Sequence, residues 1–268
     1  MRVALAQVCS TPDPSENLGL VAEQVAAAAL READLVVFPE ATMASFDRRS
    51  AEVAEAAGGP WATAVAGLAA EHGVSIVAGM FTLAPGDRVR NTLLATGPAG
   101  TVTYDKVHLY DAFGFRESDH IAPGDAPRTF QVGTTTVGLA TCYDIRFPDL
   151  FTHYAREGAE VVVVPASWAP GPRKADHWRA LAVARALDST TFVVACGQAS
   201  PLTVGRHQRP GAPTGIGGSL VVSPEGEVLA EAGTAPELLV VDLNLAAVAE
   251  ARRALPVLDD ARFVATFR

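Results

Sequence analysis

The chain has 268 residues, 49% of them hydrophobic, and a formal net charge of −9, a length that suits one large layered domain, expected over residues 1–268. The acidic balance, without any stripe of Lys or Arg, argues against nucleic acid as a partner. No apolar run nears the ~20 residues of a membrane span, and the short N-terminal apolar stretch is no signal peptide, so no membrane association and a cytoplasmic location are expected.

Arg2–Gln7 (RVALAQ) reads as a buried strand. From about Ser15, Leu18, Val21, Ala22, Val25 and Ala29 share one face at helical spacing. The short β-branched run in DLVVFPE stops at Pro39 and delivers Glu40. Gly59-Pro60 opens a second helix, Trp61–His72, with proline suited to its first turn, and VSIVAGM is the next strand. RNTLLATGPAGTVTYDK forms a hairpin about residues 97–100, and Lys106 follows its second strand. PRTFQVGTTTVGLAT is a second hairpin, whose outgoing strand delivers Cys142.

A helix over Pro148–Glu157, a buried strand in AEVVVVPASWA, a helix over Ala175–Ser189 and a strand in TFVVACG come next. A hairpin turning at residues 224–226, the strand LLVVDLN and a helix over Leu245–Arg253 close the chain's compact part. Strand-helix alternation interrupted by hairpins predicts mixed sheets layered with helices, an α/β fold. The Pro- and Gly-rich loop Ser200–Gly217 is expected to be mobile or to cover a pocket.

Four polar residues sit at strand ends or in turns, where layered α/β proteins place their chemistry: Glu40, Lys106, Glu117 in the polar loop GFRESDHIAPG, and Cys142. Cys142 has two readings. A lone thiol is among the most buried of side chains, yet a thiol at a strand-to-helix turn meets backbone N–H groups that would lower its pKa. Cys9 and Cys196 have strand-like neighbours and read as core, and three scattered cysteines make no disulfide framework. Glu40, leaving a buried strand, suits general-base work; Lys106 is either a surface ion-pair partner or an oxyanion donor. Arg146 is either a salt-bridge partner of Asp144 or Asp149 or an anchor for a substrate carboxylate. The histidines match no metal spacing, so neither metal nor cofactor is expected.

The motifs LVVFPE, YDKVHLYD, FRES…APG and CYDIRFPDL, in that order, resemble the nitrilase superfamily of carbon–nitrogen hydrolases, and most the Nit-type amidases, the branch of omega-amidase and deaminated-glutathione amidase. The likeness runs nearly end to end. It implies an α-β-β-α sandwich paired into a homodimer or larger homo-oligomer. It also implies a metal-free Glu-Lys-Cys triad acting through a thioester: Glu40 as general base, Lys106 as oxyanion stabiliser, Cys142 as nucleophile and Glu117 positioning substrate and lysine. The backbone N–H of Tyr143 would share the oxyanion.

The chain has Gly217-Gly218-Ser219 where such relatives often have Gly-His-Ser, and Lys174-Ala175-Asp176-His177-Trp178 where they have Pro-Ala-His-Trp. The pocket is expected around Phe46, Phe113, Arg146, Ser167, Trp168 and Ala169, with Arg173 a further carboxylate anchor. The expected activity is hydrolysis of a small linear amide, of a carboxylate-bearing metabolite, to acid and ammonia. N-carbamoyl amino-acid hydrolysis, nitrile hydrolysis and a silent binding or scaffold homologue are the alternatives.

Overall fold

The computed structural model describes residues 1–112, 114–208 and 212–263. The first half runs β1 (Arg2–Gln7), α1 (Pro14–Ala29), β2 (Leu35–Val37), α2 (Pro60–His72), β3 (Ser75–Leu83), β4 (Val89–Gly97) and β5 (Gly100–Asp105). A two-strand ribbon follows, β6 (Asp111–Ala112) with β7 (Phe115–Arg116). The second half runs β8 (Thr129–Val132), β9 (Thr135–Leu139), α3 (Pro148–Arg156), β10 (Val161–Ala166), α4 (Lys174–Ser189), β11 (Phe192–Gly197), β12 (Leu220–Val222) and β13 (Val228–Glu231). β14 (Glu237–Asp242), α5 (Ala246–Ala254) and α6 (Val257–Asp260) complete it.

Two six-stranded mixed sheets result, in the orders β14-β1-β2-β3-β4-β5 and β13-β12-β11-β10-β9-β8. In each, three central strands are parallel and hairpins add antiparallel edges. The last strand, β14, returns to pair antiparallel with β1 and ties the two halves of the chain together.

The run Val161–Val164 explains how four layers form. Side chains alternate across a strand, so an unbroken apolar run is a strand covered on both faces. Val161 and Val163 enter the core between the sheets with Val3, Leu5, Leu35, Val37 and Val194. Val162 and Val164 face the other way, against Leu150, Phe151 and Tyr154 of α3 and Trp178, Ala182 and Ala186 of α4. On the first sheet Ala4, Val36 and Ile76 meet Val21, Val25, Trp61 and Val65 of α1 and α2. The order is helices, sheet, sheet, helices, and each fully buried Val, Leu or Phe contributes about 1.5–3 kcal/mol of transfer free energy.

Two helix starts show the local chemistry. α1 begins with Pro14 in its first turn and Asp13 at the N-cap accepting from the Ser15 N–H at 2.8 Å. α2 likewise opens on Pro60 and stops at Gly73, whose φ of 65° a side chain would strain.

Candidate active site

The cleft lies where the two sheets meet at their strand ends. Glu40 follows β2, Lys106 follows β5, and Cys142 follows β9 as the first residue of a single 3₁₀ turn, Cys142–Arg146. Glu117 opens another 3₁₀ turn just after the β6-β7 ribbon and is buried; the polar loop expected there is a short hairpin that folds its glutamate inward. Cys142 and Ala41 both have positive φ, 47° and 57°. Two non-glycine residues in this region, beside the thiol and the carboxylate, are held at a cost of about 1–3 kcal/mol each.

The side chains converge. Lys106 Nζ donates to Glu40 Oε1 at 3.0 Å and to both oxygens of Glu117, at 3.1 and 2.9 Å. Asn91 on β4 donates to Glu40 at 2.7 Å and to Glu117 at 3.2 Å. The Ser167 N–H donates to the other oxygen of Glu40 at 2.8 Å, and the Tyr110 N–H to Glu117 at 2.7 Å. Glu40 is 1%, Lys106 2% and Glu117 5% exposed, so water cannot solvate these charges, and their mutual pairing and these hydrogen bonds sustain them. Burial pulls the Lys106 ammonium down, but the charges of Glu117 and Glu40 outweigh it and hold its pKa well above the ordinary range.

Cys142 stands beside this cluster, its Sγ 4.0 Å from the Ser167 carbonyl oxygen. A strand-to-helix turn is expected to lower a thiol pKa. Here burial, and then the negative charge of Glu40, push it well above the usual value instead, with Lys106 pulling the other way. One lysine facing two glutamates leaves a net negative charge, and a thiolate next to it would be repelled. Cys142 therefore stands as a thiol with a carboxylate at hand. The other cysteines differ: Cys196 is buried, its Sγ donating to the Val37 carbonyl, whereas Cys9, expected in the core, is half-buried beside Arg206.

A second set of bonds ties the lysine segment to the cysteine turn. Fully buried Asp144 accepts from Tyr104 Oη at 2.7 Å, the Thr141 N–H at 2.8 Å and the His108 N–H at 3.0 Å, and lies 2.7 Å from His108 Nδ1. Lys106 lies between Tyr104 and His108, so one carboxylate fixes both chain segments. Gly79 on β3 makes room for the glutamate: a Cβ there would lie 2.5 Å from the Ala41 nitrogen and 2.8 Å from Glu40 Cα.

Glu40, Lys106, Glu117 and Cys142 line a cleft together with Phe46, Tyr143, Arg146, Ser167, Trp168, Ala169, Tyr110, Lys174 and Pro213. Phe113 lies outside the described residues. Arg173 does not join the cleft: it is exposed, in the left-handed region with φ 59°, and 3.8 Å from Asp176. Its neighbour Lys174, first residue of α4, points in instead. Among the described residues Arg146 pairs with neither Asp144 nor Asp149; its guanidinium lies 5.3 Å from the Trp168 ring centroid. Asn91, Tyr110, Lys174 and Pro213 escaped sequence reasoning, although Pro213 lies in the loop expected to cover a pocket. Asn91 sits within an alternating strand, where nothing in its neighbours marks it. Among the described residues no group of three or more His, Cys, Asp or Glu is placed to hold a metal ion, and no helix is long and apolar enough to cross a membrane.

A carboxylate, a lysine and a thiol around one buried point are the parts for acyl transfer through sulfur, and residues 2–253 match the carbon-nitrogen hydrolase family. The chain belongs to that family. It is 51% identical over 265 residues to the hydrolase Rv0480c of Mycobacterium tuberculosis, covering 96% of this chain and 94% of that one. It is 34% identical to the deaminated glutathione amidase of Escherichia coli O157:H7, covering 98% of each. Among solved structures it resembles a mutant form of the amidase from Nesterenkonia sp. AN1, with a TM-score of 0.80, 27% identity and coverage of 98% and 94%. That structure is described as showing covalent addition of the acetamide moiety of fluoroacetamide at the active site cysteine.

Proposed function

We propose that this carbon–nitrogen hydrolase, as one catalytic domain, converts a small linear amide bearing a carboxylate into acid and ammonia, with Cys142 as nucleophile. The observation that supports this most is the buried contact of Lys106 with Glu40 and Glu117 beside the thiol. As Sγ bonds to the amide carbonyl carbon, the thiol proton passes to Glu40, and the carbonyl oxygen becomes an oxyanion facing Lys106 and the Tyr143 N–H, at the amino end of its 3₁₀ turn. The C–N bond then breaks, with the Glu40 proton going to nitrogen, because an amide anion is too basic to leave unaided. Water, giving its proton to Glu40, adds to the thioester and frees the acid and the thiol.

Glu117 holds Lys106 through both of its carboxylate oxygens, and Arg146 receives the substrate carboxylate. A homodimer or larger homo-oligomer, resting on the family resemblance, and a cytoplasmic location, resting on the sequence pattern, are the accompanying readings. Wild-type protein is expected to release ammonia from glutaramate or a similar monoamide, and Cys142→Ala to lower kcat to background. Equal ammonia release by the variant would overturn the assignment.

A further inference from the structure

We propose that Lys174 is a specificity-determining residue, a second cation that makes the cleft prefer amides carrying two negative charges beyond the scissile group. The inference rests on the amidase reading of the same site. Trp168 is the platform. Its indole N–H donates to the Lys174 carbonyl at 2.9 Å, fixing the first residue of α4 against the ring. The Lys174 ammonium lies 5.8 Å from the Trp168 centroid and 5.6 Å from that of Tyr110, with Nζ 3.5 Å from the Tyr110 hydroxyl. Arg146 lies 5.3 Å from the same Trp168 ring. Aromatic faces hold both cations at the cleft wall.

The two cations sense each other: burial first, and then the charge of Arg146, hold the Lys174 ammonium below its ordinary pKa. Anions are thus drawn to this end of the cleft and repelled from the other, where Glu40 and Glu117 outnumber Lys106. A single substrate carboxylate satisfies Arg146 and leaves Lys174 without a substrate charge. A second carboxylate meets Lys174 and relieves the repulsion between the cations. Specificity is then a difference of affinities, set by a residue that lies away from the reacting atoms.

The test uses a matched pair: glutaramate, with one carboxylate, and 3-carboxyglutaramate, with two. For wild type, kcat/KM is expected to favour the doubly charged amide. In Lys174→Met the KM for that amide should rise roughly tenfold more than the KM for glutaramate, a difference of about 1.4 kcal/mol, with kcat changing little for either. Lys174→Arg should restore the preference. Binding of the product acids glutarate and propane-1,2,3-tricarboxylate, measured by calorimetry, should show the same tenfold difference without turnover. A KM ratio and an acid-binding ratio unchanged by Lys174→Met would overturn the inference while leaving the amidase reading intact. Absence of ammonia from both amides would overturn that reading, and the calorimetric ratio would still decide the role of Lys174.

Discussion

Removing the Lys106 ammonium leaves Glu40 and Glu117 buried, with Asn91 between them and, among the described residues, no cation at either. Breaking a buried ion pair in this way costs about 3–5 kcal/mol, so Lys106→Met is expected to lower the urea-unfolding free energy by that amount. The same variant should lose at least ~10²-fold in kcat, as expected when an oxyanion donor is removed. A fully active, equally stable variant would contradict both assignments. Cys142 makes the converse point. Its thiol is raised by burial and by Glu40, so Glu40→Gln removes a charge that raises it. This variant should therefore show a lower thiol pKa by pH-dependent iodoacetamide alkylation, yet lose amide hydrolysis, since the proton acceptor is gone.

At the scale of elements, the site depends on backbones that approach closely. Gly79→Ala would drive a Cβ against the Glu40–Ala41 backbone, which cannot move aside as a flexible side chain can. We expect a loss of about 1–3 kcal/mol in stability, typical of overpacking, and a fall in kcat that persists where the variant is still fully folded. Urea melts and ammonia assays on one preparation check this. The same elements show what a sequence can reveal. Val161–Val164 is legible as a doubly covered strand because it is short, β-branched and unbroken, and the strands that end before Glu40, Lys106 and Cys142 are legible from their own runs. The contact between these three is not legible in periodicity, since it needs two sheets docked face to face. Family resemblance, rather than spacing, brought them together. Lys174 was missed in favour of Arg173 because one residue's shift at a helix start turns a side chain from solvent to cleft. Asn91 was missed because its two glutamates are distant in sequence.

At the scale of the whole molecule, buried acids set the alkaline limit. Burial raises the hydroxyls of Tyr104 and Tyr154 and the thiol of Cys196, and the glutamates raise Lys106 against the pull of burial. Each keeps its proton in the folded chain at pH values where the unfolded chain has lost it, so the unfolded state gains as pH rises. These groups contribute no pH dependence well below pH ~9, the start of the ordinary thiol and phenol range. As pH rises from about 10 to 11, the loss from the two tyrosines and Cys196 together should steepen toward about 4 kcal/mol per pH unit. Urea midpoints measured from pH 8 to 11 check this, and a flat profile would contradict it.

The site also spans both sheets, with Glu40 and Lys106 on one and Cys142 and Ser167 on the other. Activity therefore exists only while the sheets are docked. Acylation of Cys142 by an amide is tested most directly by mass spectrometry of protein quenched during turnover. An increment equal to the amide less ammonia is expected, mapped to the peptide containing Cys142. An increment on Cys9 or Cys196, or ammonia release with no acyl-protein under rapid quench, would contradict it.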